Sequence, residues 1–131
     1  MKMSIQATEL RIGNWFISHE TEPEKTIYYQ VEEICRYSKS TSLGVRFRNN
    51  SCWTSDPEPI ELTEEWFVKF GFEKETTEDC DWWYLEVDNK SIGFAFINEF
   101  WEQYYGGYPL EYVHELQNRV KSWTGKELTI K

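Results

Sequence analysis

The chain has 131 residues, 18% of them aromatic with seven Trp among them, and a formal net charge of −9. That length suffices for one domain with its own core and no disulfide or metal support. No apolar run reaches the length of a membrane span, Met1 to Arg11 lacks the apolar stretch of a signal peptide, and Cys35, Cys52 and Cys80 are too few and too scattered for a disulfide framework, so the expected setting is reducing and cytoplasmic.

The rings are numerous and the aliphatic share is thin, so the core is expected to be built largely from aromatic side chains, with some left over as interface anchors. Gly13-Asn14 precedes a first strand at Trp15, Phe16 and Ile17, and the polar stretch His19 to Lys25 reads as a loop. In the next segment Ile27, Tyr29 and Val31 alternate with Tyr28, Gln30 and Glu32, a strand period. In the third, Leu43, Val45 and Phe47 alternate with Gly44, Arg46 and Arg48, which gives the strand a basic outer face. Three such strands imply an antiparallel meander or a small SH3-like barrel. Residues 49–60 carry Asp56-Pro57-Glu58-Pro59, whose prolines argue against a regular element and mark an internal joint within one domain.

Beyond that joint Thr63 is placed to cap a short helix, Glu64 and Glu65 complement its dipole, Trp66, Phe67 and Phe70 form its apolar face, and Gly71 ends it with Phe72 closing back on Phe67. There follows the densest acidic run, in which Glu73, Glu75, Glu78, Asp79 and Asp81 face only Lys74. Up to Ile60 seven basic side chains meet eight acidic ones, and from Glu61 onward seven meet fifteen, so the acidity belongs to the second half. Charge of that sign repels nucleic acid and anionic membrane and attracts basic protein surfaces, besides serving solubility.

Next, Trp83, Leu85 and Val87 alternate with Trp82, Tyr84 and Glu86. Asp88-Asn89-Lys90 supplies a turn, and Ile92, Phe94 and Phe96 return, the pattern of a β-hairpin. The segment from Phe100 to Pro109, with Trp101, Tyr104, Tyr105 and Tyr108, is too aromatic for a solvated loop and too glycine-broken for a long helix; it reads as a binding loop or a cover over the core. A second helix is expected from about Pro109 to Trp123, with Leu110, Val113, Leu116, Val120 and Trp123 as its stripe and Gly125 as its stop, and Leu128 to Ile130 as a short final strand. The fold class is therefore α+β.

No close metal-ligand pair, phosphate-binding glycine loop or nucleophile elbow is present. Glu99 and Glu102 are a cheap coincidence among twenty-three acids, and His114 reads as a solvated surface histidine. The residues thus point to no catalytic site, no cofactor and no metal.

Three blocks, Glu9-Leu10-Arg11-Ile12-Gly13-Asn14-Trp15, Leu62 to Trp66 through Phe70-Gly71-Phe72, and Tyr112 to Asn118 with Thr124 to Leu128, occur in this order. In them the chain resembles a family of small proteins from Bacteroidota genomes, their prophages and phages. The resemblance implies a phage or mobile-element origin and carries over no activity and no functional residue; residues 79–108 lie outside it. The expectation is a binding protein of the host cytoplasm that meets a basic host protein through Glu73, Glu75, Glu78, Asp79, Asp81, Trp101, Tyr104, Tyr105 and Tyr108. The alternative is nucleic-acid or nucleotide binding by Arg36, Lys39, Arg46 and Arg48 on the strand face.

Overall fold

The computed structural model describes residues 11–18, 27–36, 43–47, 53–54, 58–97, 99–103 and 108–130. The chain forms two compact units, Met1–Ile60 and Glu61–Lys131.

The first unit begins at a turn. Gly13 adopts φ 98°, a left-handed value that suits a residue without Cβ. The buried Asn14 accepts the Arg11 N–H on Oδ1 at 2.7 Å. Its own N–H returns to the Arg11 carbonyl at 3.1 Å. The Gly13 N–H donates to the Val31 carbonyl and the Val31 N–H to the Asn14 carbonyl, both at 2.8 Å, which ties the turn to the strand that follows.

From there run β1 (Trp15–Ser18), β2 (Ile27–Arg36), β3 (Leu43–Phe47), β4 (Trp53–Thr54) and β5 (Glu58–Pro59). All pairings are antiparallel, in the order β4-β3-β2-β1-β5. This is a meander whose last strand returns beside the first, and the sheet is open, with β4 and β5 at opposite ends. The register of β2 shifts between Val31 and Glu33, where a bulge bends the strand. Phe16 and Val31, fully buried, form the small core with Tyr29 and Ile34.

The expectation of no regular element in residues 49–60 is corrected by β4 and β5. Pro59 is compatible with a strand because β5 is outermost among the described strands, the position in a sheet where proline is tolerated. The expected loop His19 to Lys25 lies outside the described residues.

The second unit comprises α1 (Glu64–Lys69), β6 (Glu73–Thr76), β7 (Asp81–Val87), β8 (Lys90–Ile97), β9 (Phe100–Gln103) and α2 (Val113–Thr124), its sheet ordered β6-β7-β8-β9 and antiparallel throughout. Thr63 stands at the N-cap of α1, but its side chain makes no capping bond. The other end follows expectation closely. The Phe72 N–H reaches the Phe67 carbonyl at 2.9 Å, the Gly71 N–H reaches the Val68 carbonyl at 3.0 Å, and Gly71 takes φ 87°. Phe72 then meets Phe67 edge-on at 5.0 Å, completing a Schellman motif with its hydrophobic contact.

Phe67 is the centre of the core. Its ring lies 6.0 Å from Trp83, 6.0 Å from Phe94 and 4.5 Å from Trp101, so α1 packs on the sheet face that β7, β8 and β9 build with these rings. Helix α2 adds the fully buried Val113, Leu116 and Val120. The two residues between β7 and β8, Asp88 and Asn89, both have positive φ (48° and 69°), and Val87 pairs with Lys90. That is the backbone of a type I′ turn, whose twist matches a two-residue hairpin.

Three expectations for the C-terminal part need correction. Helix α2 starts at Val113, not near Pro109. The Glu115 carboxylate accepts the N–H groups of Tyr112 (2.9 Å) and Glu111 (3.0 Å), fixing the first turn there, and Leu110 instead exchanges backbone hydrogen bonds with Trp101. His114 is buried, 1% exposed, not solvated: α2 buries a wider arc than its apolar stripe, taking in His114 and Gln117 as well. Residues 128–130 form no strand, although Leu128 is buried.

Gly125 ends α2 with φ 78° and open space where a Cβ would stand. Gly125→Ala therefore tests backbone conformation alone. Its expected cost in urea unfolding is about 1–2 kcal/mol, and an unchanged midpoint would show that the left-handed cap is not needed. No helix among the described residues is long and apolar enough to cross a membrane.

Candidate partner-binding surface

The acidic run is a hairpin arm. The strand pairs Glu73 with Tyr84, Lys74 with Trp83, Glu75 with Trp82 and Thr76 with Asp81. Its turn is closed by Thr77, whose N–H and hydroxyl donate to the Cys80 carbonyl at 2.9 and 2.8 Å and whose Oγ1 accepts the Cys80 N–H at 3.2 Å. Sequence alone left residues 73–76 as an acidic run because one charged residue follows another there, without the apolar alternation that marks a strand.

Strand periodicity divides the acids among three places. Glu73 and Glu75 lie on one face of the sheet, beside their cross-strand neighbours Tyr84 and Trp82, with Glu86 and its partner Ser91 farther along. Glu78 and Asp79 occupy the turn, exposed. Asp81 lies on the other face, where Lys74 Nζ approaches its Oδ2 at 3.4 Å and stands 5.7 Å from the centre of the Trp83 ring.

The face bearing Glu73, Glu75 and Glu86 lies opposite α1. It carries an open groove of ≈ 590 Å³ lined by Gly71, Glu73, Glu75, Tyr84, Leu85, Glu86 and Ser91. The Trp82 and Tyr84 rings lie 6.3 Å apart and 29° from parallel at its side. Among the described residues no Lys or Arg forms an ion pair with Glu73, Glu75 or Glu86, so the groove is an uncompensated patch of negative potential with an aromatic wall.

The Tyr84 ring lies close over Gly93, where an added Cβ would meet Cε1 at 2.6 Å and Cδ1 at 2.7 Å. Gly93→Ala should therefore push the ring out of the groove wall and cost about 1–3 kcal/mol. In the Tyr84→Ala background the same change should cost much less; additive losses in that double-mutant cycle would refute the close approach.

The aromatic segment is corrected in its first part. Phe100–Gln103 is strand β9, and Trp101 is a core residue, 4% exposed, donating its indole N–H to the Leu62 carbonyl at 2.9 Å. Its alternation with the exposed Phe100 is the strand signal in this run. Tyr108 is the opposite case, 86% exposed. Tyr104 and Tyr105 lie outside the described residues.

Arg119 of α2 holds the ends of this segment together, donating to the Tyr108 carbonyl at 2.7 Å and to Gln103 Oε1 at 2.8 Å. Burial lowers the pKa of its guanidinium from the usual value, and Glu115 opposes that shift. The group stays cationic at any physiological pH.

Of the basic set, Arg46 forms an ion pair with Glu32 at 3.0 Å. Arg36 ends β2, and Lys39 and Arg48 lie outside the described residues. Among the described residues no group of three metal-ligating side chains comes together.

Fold and surface together define an α+β protein of two antiparallel sheets with an acidic, aromatic groove on the face of the second that lies opposite α1. Comparison with protein-family models, curated proteins and solved structures finds no match.

Proposed function

We propose that this is a phage or mobile-element accessory protein that binds, and by binding inhibits, a host protein with a basic surface, such as a nuclease of a defence system. The observation that carries the reading is the set Glu73, Glu75 and Glu86, uncompensated among the described residues, beside Tyr84 and continued by Glu78 and Asp79 at the turn. Carboxylates at strand spacing can occupy a groove built for phosphates, and Tyr108 offers a large exposed ring as an anchor. The phage or mobile-element origin rests on the resemblance of the three sequence blocks.

Immobilised protein should capture a specific partner from host lysate, and raising ionic strength should release it steeply. Reversal of Glu73, Glu75, Glu78 and Asp79 to Lys should abolish capture; a partner retained by that variant would end the proposal. Nucleic-acid binding by Arg36, Lys39, Arg46 and Arg48 has less support, because Arg46 is already paired with Glu32. Labelled single strands are accordingly expected not to shift at low salt.

A further inference from the structure

The second sheet has two edges, and they differ. On β9 the outer side is closed at Trp101, whose N–H donates to the Leu110 carbonyl at 3.0 Å and whose carbonyl accepts the Leu110 N–H at 2.7 Å. On β6 no further strand pairs among the described residues, and all four residues from Glu73 to Thr76 are exposed. An unpaired edge presents a row of backbone donors and acceptors that another strand can complete.

The side chains along that edge restrict which strand can do so. On one face Glu73 and Glu75 border the groove, with Glu86 within it. On the other, Lys74 is already matched by Asp81. A second copy of the same edge would set Glu against Glu, whereas a strand with Lys or Arg at alternate positions would set its charges opposite Glu73 and Glu75. Four residues of β6 provide for two such side chains, i and i+2, roughly 7 Å apart along the strand. A guanidinium entering there also comes beside Tyr84, an aromatic ring able to attract a cation.

We propose that β6 is the docking edge for an extended basic segment of a partner protein, which adds to the sheet as a fifth strand and places two alternate Lys or Arg side chains in the groove of Glu73, Glu75, Tyr84 and Glu86. This deepens the proposed function, on which it rests, by naming the element that the acidic surface receives.

The test uses the full chain and an alternating Arg–Thr decapeptide, with binding followed by fluorescence anisotropy. Two further peptides carry N-methyl groups on alternate backbone nitrogens, one on the odd set and one on the even. Strand addition requires that one methylated set lose binding and the other keep it, because alternate N–H groups face β6. Glu73→Lys/Glu75→Lys should weaken the parent peptide by more than about tenfold, while Glu73→Gln/Glu75→Gln gives an intermediate loss. Circular dichroism verifies that these exposed-strand variants remain folded.

Equal binding of both methylated peptides, or full binding to the Lys variant, overturns strand addition. If a host partner is still captured through Glu78 and Asp79 in that case, the acidic-surface reading survives without it. Failure of the parent peptide to bind the wild-type chain overturns the docking edge as well, and absence of any captured partner separately overturns the function.

Discussion

Phe67→Ala is expected to lower the unfolding free energy of the second unit by about 3–5 kcal/mol, the range for deleting a buried ring that its neighbours cannot collapse to fill. Phe67 is fully buried and contacts rings from three directions: Phe72 at the end of its own helix, Trp83 and Phe94 on adjacent strands, and Trp101 on β9. Removing it leaves four aromatic faces without their common partner, and rings have few rotamers with which to close a void. Urea unfolding followed by tryptophan fluorescence reads the loss directly. A cost below about 1.5 kcal/mol, typical of the ordinary point substitution, would mean that the core is not organised around this ring.

Trp101 and Tyr108 are expected to part company by a comparable margin. Trp101→Ala removes a side chain that is 4% exposed, packs 4.5 Å from Phe67 and 5.2 Å from Phe96, and satisfies the Leu62 carbonyl. The expected cost is about 3–5 kcal/mol. Trp101→Phe keeps most of the apolar area but strands that carbonyl, and should cost about 1–3 kcal/mol. Tyr108→Ala, at an 86% exposed site, should stay within about 0.5 kcal/mol of wild type. Parallel thermal melts decide the matter. Tyr108 then becomes the residue whose substitution can report on partner binding without confounding the fold; equal destabilisation by Trp101→Ala and Tyr108→Ala would undo that assignment.

Much of the scaffold was legible because it depends on local chemistry. The end of α1 follows from Phe70-Gly71-Phe72, since one residue able to take positive φ between two rings is enough to specify the stop and its contact. The β7–β8 hairpin follows from alternation on either side of Asp88-Asn89. The turn at Asn14, the helix end at Gly71, and the Glu115 and Gly125 ends of α2 are features of the same local kind.

What escaped were elements whose pattern is made elsewhere. β6 has no apolar side chain and becomes a strand only because β7 offers it an edge. Trp101 and Phe100, adjacent in one aromatic run, part at β9 into buried and exposed. His114 is drawn inside by the breadth of the α2 contact, which a polar side chain cannot announce.

The sequence by itself determined the α+β class, the turns, the helix ends and the concentration of acids after Glu61, because each depends on residue type at short range. The tertiary structure alone decided which acids act together. Strand pairing sends Asp81 to Lys74 on one face, leaves Glu78 and Asp79 at the turn, and brings Glu86, more than ten residues away, into the groove of Glu73 and Glu75. Charge can be counted along a chain; which charges share a face is set by strand pairing and register.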